Sequence, residues 1–154
     1  MARMPEIVDD FLRSKRVAVA GVSRGGDTAA NAVYRKLRDC GYQVVPVNPN
    51  ATQVEGVPCY ADVGSVPGHL DGLVVATHPA ASAGVAKQAL RRGVRRIWVH
   101  RSFGEGSVSP DAVEECGRQG ATCIVGGCPL MYLKPDLGHR CMRAWLAWRG
   151  RVPG

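Results

Sequence analysis

No stretch of this sequence stays apolar for the ~20 residues that a membrane-spanning helix needs, so no membrane is expected as a partner. The cysteines form no Cys-x-x-Cys pair, and Cys123-x4-Cys128 with His139-x-Cys141 matches no common zinc spacing; no metal is expected. A secretory apolar core is missing too, because residues 4–15 are amphipathic and charged. The six cysteines (Cys40, Cys59, Cys116, Cys123, Cys128, Cys141) would otherwise suit a disulfide framework; they are read as mostly buried, reduced thiols of a cytoplasmic protein. No Ser/His/Asp spacing resembles a nucleophile elbow. Arg91, Arg92, Arg95 and Arg96 lack interleaved aromatics, which argues against nucleic acid as the partner. With no repeat, no low-complexity segment and no linker, one domain over residues 1–154 is expected.

What the sequence does have is a net charge of +7 over 154 residues, with 45% hydrophobic and 21% charged residues. That balance is ordinary for a globular chain except in its sign, which favours a polyanionic partner. The chain is organised around Val17-Ala18-Val19-Ala20-Gly21-Val22-Ser23-Arg24-Gly25-Gly26. Four small apolar residues run into a glycine-bearing turn, and a helical pattern begins at Thr28. A buried strand, a tight loop and a helix start follow one another as nucleotide binding requires. Gly21 permits the sharp turn, and Gly25 and Gly26 clear the loop so that backbone N–H groups can face an anion. The spacing Gly21-x-Ser23-x-x-Gly26 is the dinucleotide fingerprint with serine at its second glycine.

The remaining chain alternates in the same way. A covering helix of about residues 4–14 carries Ile7, Val8, Phe11 and Leu12 on one stripe. Strands are expected at 17–20, 42–47, 73–76, 96–99 and 122–125, with a short one near 57–60. Helices follow Thr28, Pro79 and Ser109-Pro110, and a last helix spans about 136–149. Its Trp145 and Trp148, three residues apart beside Leu146, either cover the core or form a homodimer face. Pro46 conflicts with a strand paired on both sides: either the neighbour ends before it, or its nitrogen faces the rim. The fold class is therefore α/β, a three-layer doubly wound Rossmann-like parallel sheet of about five strands, order 3-2-1-4-5. Ligands bind such sheets at the carboxyl ends of the strands, where loops 21–27, 48–50, 77–80 and 100–106 converge. At the second strand's end an NAD-binding fold places Asp or Glu for the ribose; here Asn48 stands there.

These residues are similar to the CoA-binding domain family. The similarity lies in Gly21-Val22-Ser23, Asn31-Ala32-Val33 with Leu37, Gly41-Tyr42, Val45-Pro46-Val47-Asn48-Pro49, and Val54-Glu55-Gly56-Val57 with Tyr60. Ser102-Phe103-Gly104-Glu105 resembles the family's acyl-CoA synthetase domains, and Gly127-Cys128-Pro129 sits where stand-alone members often carry Arg-Cys-Pro. The match covers about residues 15–132. It implies that Val22, Ser23 and Arg24 hold the CoA phosphates, that Asn48 and Pro49 border the adenosine, and that Thr77-His78-Pro79 and His100-Arg101-Ser102 flank the pantetheine. Gly21 and Asn31 complete the implied cofactor-binding set. The lysine that ligase subunits often carry after the second strand is replaced by Asn50-Ala51; Arg24 and Arg101 are the cations that could take its place on the 3′-phosphate. The ligase reaction also uses a phosphorylated histidine of a following domain, for which these residues hold no counterpart.

The expected function is binding of coenzyme A or an acyl-CoA without chemistry of its own. The alternative is a small acyl-CoA-dependent or NAD(P)-dependent enzyme using the same pocket, with Cys128, His78 and His100 as candidate groups. Cys128 is read as a small buried residue ahead of a turn proline.

Overall fold

Alternating branched and small apolar residues give Arg16–Ala20 (β1) two buried faces, as a strand covered on both sides requires. Val17 and Val19 face one helical layer, Ala18 and Ala20 the other. The computed structural model describes residues 4–101, 106–134 and 137–153. Around β1 it sets α1 (Glu6–Leu12), α2 (Ala29–Asp39), β2 (Gln43–Val47) and a small hairpin of β3 (Gln53–Val54) and β4 (Val57–Pro58). Then come β5 (Gly72–Val75), α3 (Pro79–Arg91), β6 (Arg96–Val99), α4 (Pro110–Arg118), β7 (Thr122–Val125) and α5 (Leu137–Trp148). The sheet is parallel and five-stranded, in an α/β fold of Rossmann type.

The strand order is β2-β1-β5-β6-β7. It corrects the expected 3-2-1-4-5, which would set the third long strand outside the second. Instead β5 crosses to the far side of β1, with Val17 opposite Gly72 and Ala20 opposite Val75. Pro46 supplies the physical reason. It has no N–H to give a second neighbour, so β2 belongs at an edge. Its nitrogen faces the rim, where Tyr60 passes alone: the Tyr60 N–H donates to Pro46 O at 3.1 Å, and the Asn48 N–H to Tyr60 O at 2.9 Å. The expected short strand near 57–60 is this bridge together with the hairpin, whose turn lies at Glu55-Gly56 with both φ angles positive.

The first layer holds α1, α2, α5 and the turn at Pro129–Met131; α3 and α4 form the second. At the centre of the first lies Trp98 of β6, fully buried, with Phe11 edge-on at 5.3 Å and Tyr132 at 5.6 Å. Its indole N–H donates to Gly126 O at 3.0 Å, so the ring carries no unpaired donor into the core. Truncating such a residue to alanine costs about 3–5 kcal/mol. Leu146 settles which way α5 faces: it is fully buried, while Trp145 and Trp148 point outward, with Arg149 over both rings. Fewer thiols are buried than the sequence suggests. Cys59, Cys116 and Cys128 are buried, Cys40 and Cys123 are half-buried and Cys141 is exposed. Among the described residues, no helix is long and apolar enough to cross a membrane.

Candidate functional site

Gly21 ends β1 with φ +104°, and a Cβ there would lie 2.2 Å from Ala76 O. No other residue lets the loop after β1 touch the loop after β5. Val22 then turns fully into the core, and Ser23 to Gly26 arch over the start of α2. The arch is held from beneath by Asn31, which is completely buried. Its Oδ1 accepts from the Ser23 N–H (2.8 Å) and the Thr28 hydroxyl (2.6 Å), while its Nδ2 donates to Ser23 O (2.9 Å) and Glu55 Oε1 (2.8 Å). Thr28 caps α2 by accepting from the Asn31 N–H. Glu55 reaches in from the hairpin turn and also accepts from Arg35, which in turn donates to Gly26 O. Asn48 ties the same loop to β2: its Nδ2 donates to Val22 O at 2.9 Å and its Oδ1 accepts from the Asn50 N–H.

Beside this loop, at the carboxyl ends of β1, β2 and β5, lies a cleft of about 640 Å³. Gly21, Asn48 and Pro49 form one end, Thr77 and His78 the other, and α3 supplies the floor through Ala81, Gly84 and Val85. Gly84, in mid-helix with open space beside it, lets a ligand approach the α3 backbone. The cleft's carboxylate is Asp62, whose Oδ1 accepts from the Ser65 N–H at 2.7 Å. His78 is the N-cap of α3; its Nδ1 accepts from the Ala80 N–H. Thr77 is braced by Ser107, which donates to Thr77 O at 2.6 Å. The positive end of the 11-residue α2 faces the arch, adding a fixed attraction for negative charge to the open amides of its first turn.

Gly21, Asn48, Pro49, Thr77 and His78 thus line one cleft, and Val22, Ser23 and Arg24 follow directly on Gly21. Asn31 is not at the cleft surface: all its polar atoms hold the loop. Pro79 and Arg101 line a second cavity between α3 and α4. His100 is buried at 6% exposure, and that burial pulls its pKa down to about 4, so its ring is neutral near pH 7. Ser102, with Phe103, Gly104 and Glu105, lies outside the described residues. Cys128 is buried with Met131 and Tyr132 in the first core layer. Among the described residues, no three His, Cys, Asp or Glu side chains gather as a metal would need. Sequence reasoning missed Asp62, Gly84 and the anchoring role of Glu55. The signals available were a glycine inside a helical pattern and an Glu55-Gly56 turn between two valines.

A family model described as a CoA binding domain matches residues 15–134. The chain is 29% identical over 123 residues to the uncharacterized protein YneT of Bacillus subtilis, covering 80% of this chain and 88% of that one. It is 30% identical over 116 residues to an ADP-forming acetate–CoA ligase of Archaeoglobus fulgidus, covering 73% of this chain and only 13% of the ligase. Among solved structures, a protein redesigned for binding superposes with a TM-score of 0.76 at 26% identity, over 86% of this chain and 93% of that one.

Proposed function

The chain belongs to the CoA-binding domain family, and from that premise we propose that it binds coenzyme A or an acyl-CoA in the cleft beside loop 21–26. The observation that carries the reading is the pre-tied loop at the positive end of α2, adjoining a cleft of about 640 Å³. In this reading Val22, the Ser23 hydroxyl and Arg24 take the phosphates, since the Gly21 and Ser23 N–H groups already donate to Val47 O and Asn31 Oδ1. Asn48 and Pro49 border the adenosine, and the pantetheine runs past Thr77 and His78. Asn31 acts at one remove, by fixing the loop. The net charge of +7 suits a ligand with several phosphate charges.

The proposal includes no chemistry by the domain alone. His100 is neutral and buried, and Cys128 lies within the core. A dinucleotide is disfavoured at Asn48: where an NAD-binding fold offers a carboxylate to the ribose, both polar atoms of this side chain are engaged by Val22 O and the Asn50 N–H. Calorimetry with CoA and NAD in one buffer tests the reading. CoA should bind more tightly; tighter NAD binding, or no CoA binding at millimolar concentration, overturns it.

A further inference from the structure

Two cysteines meet in the second layer, toward the amino ends of the strands and so away from the cleft at their carboxyl ends. Cys116 lies in the last turn of α4 and, with Ala112 one turn earlier, is fully buried against the sheet. The chain then reverses at once: Gly120 takes φ +65°, and the Ala121 N–H donates back to Cys116 O at 3.0 Å. Two residues on, Cys123 stands in β7 opposite Ile97. Side chains of a strand alternate between faces, so Ile124 enters the first layer and Cys123 turns to the second, where Cys116 lies. The other buried thiols, Cys59 and Cys128, belong to the first layer.

At that meeting point the Cys123 thiol donates a hydrogen bond to the Cys116 sulfur. Two sulfurs in contact, on segments already joined through the Cys116–Ala121 bond, have the proximity that a disulfide requires. The bond also divides the roles. It holds the Cys116 pKa below the ordinary thiol value and raises that of Cys123, so the first proton leaves Cys116 and the second stays on Cys123. Cys123 is half-buried on a border strand, which opens the pair to small solutes from that side.

We propose that Cys116 and Cys123 form a redox site, in which an oxidant of the peroxide class converts the two thiols into a disulfide that locks β7 to α4. The Cys116 thiolate attacks one peroxide oxygen; an S–O bond forms, the O–O bond breaks, and the departing hydroxide takes the Cys123 proton as water. The Cys123 thiolate then attacks the Cys116 sulfur and expels the second oxygen, which leaves as water with the proton first lost by Cys116. The two sulfurs give up two electrons and the peroxide gains them.

Hydrogen peroxide added to Cys141→Ser, which removes the exposed thiol, tests this by intact mass and peptide mapping. The chain should stay monomeric in mass and lose two hydrogen atoms, reversibly with dithiothreitol. Trypsin, cutting at Arg118, should leave its two flanking peptides linked through Cys116 and Cys123. Closing so short a loop should raise Tm by about 5–10 °C. Adding Cys123→Ser should abolish the link, and mapping of the Cys141→Ser protein identifies the pair even if that variant folds poorly. Oxygen addition in place of the link, a link between other cysteines, or a Tm that falls on oxidation overturns the inference.

Discussion

Asn31→Ala is the substitution on which the loop's construction can be judged. The side chain makes four hydrogen bonds from a fully buried position, one of them to the carboxylate of Glu55. Each neutral bond is worth about 1 kcal/mol net, and the bond to a charged acceptor somewhat more. Water recovers part of this, because Ser23 is half-buried and Thr28 exposed, and Glu55 keeps Arg35. Alanine also gains about 0.5 kcal/mol of helix propensity over asparagine. A net loss of about 2–3 kcal/mol follows, or about 5–10 °C in Tm for a domain of this size. The loop then has to be ordered by the ligand instead, at about 1 kcal/mol for each residue from Ser23 to Gly25, so CoA affinity should fall at least roughly tenfold. Urea unfolding and calorimetry give the two magnitudes, and hydrogen exchange at the Ser23 amide reports the bond to Oδ1 directly. Unchanged protection at that amide, with stability within about 0.5 kcal/mol of the parent, would refute the reasoning.

Ser23→Ala should weaken CoA binding by about 1 kcal/mol, since the hydroxyl it removes also accepts from the Gly25 N–H at 3.1 Å, whereas Ser23→Leu should nearly abolish binding; if both bind as the parent does, the loop is not the phosphate site. His100 makes stability depend on pH. Its folded pKa of about 4 lies below the ordinary value of 6.5, so on acidification the unfolded chain takes up the proton first, and as much as roughly 3 kcal/mol is lost as pH falls from about 6.5 to 4. His100→Asn should flatten urea midpoints across that window; an equally steep profile would remove histidine as the cause. Asp10, held low by Arg96, and Asp71, held low by the Arg16 amide, lose their contributions only below it. Cys128→Ala should lower stability by about 1–2 kcal/mol, because it empties part of a packed layer, and leave CoA affinity unchanged; a matching loss of affinity would return this thiol to the site.

The layers of the fold were legible because their signals are local. Two-residue alternation in Val17–Ala20, the cap at Thr28 and the proline that opens α4 each act within a few residues, and all five long strands fall within a residue or so of their expected ranges. The strand order was not, since it depends on where a 24-residue connection from β2 to β5 lands. Pro46 contained the answer, but only once read as a statement about neighbours. The candidate site divides the same way. Glycine and serine spacing marks the loop, yet nothing in a sequence says whether an amide side chain faces a ligand or its own backbone, and Asn31 turned inward. Arg101 was noticed for its charge; that its Nε is buried without an acceptor is a property of packing alone.

The Pro46–Tyr60 bridge also bears on how this protein behaves in a crowded solution. An open sheet invites a stray strand to add at its border, and the invitation is a row of unpaired amides. Along β2 the outward-facing positions are Val44 and Pro46: proline offers no donor, and its carbonyl is already taken by Tyr60, as Tyr60 takes the next amide along. An incoming strand would find a single amide, at Val44, too little to fix a register. Aggregation by sheet extension is thereby confined to the opposite border, at β7.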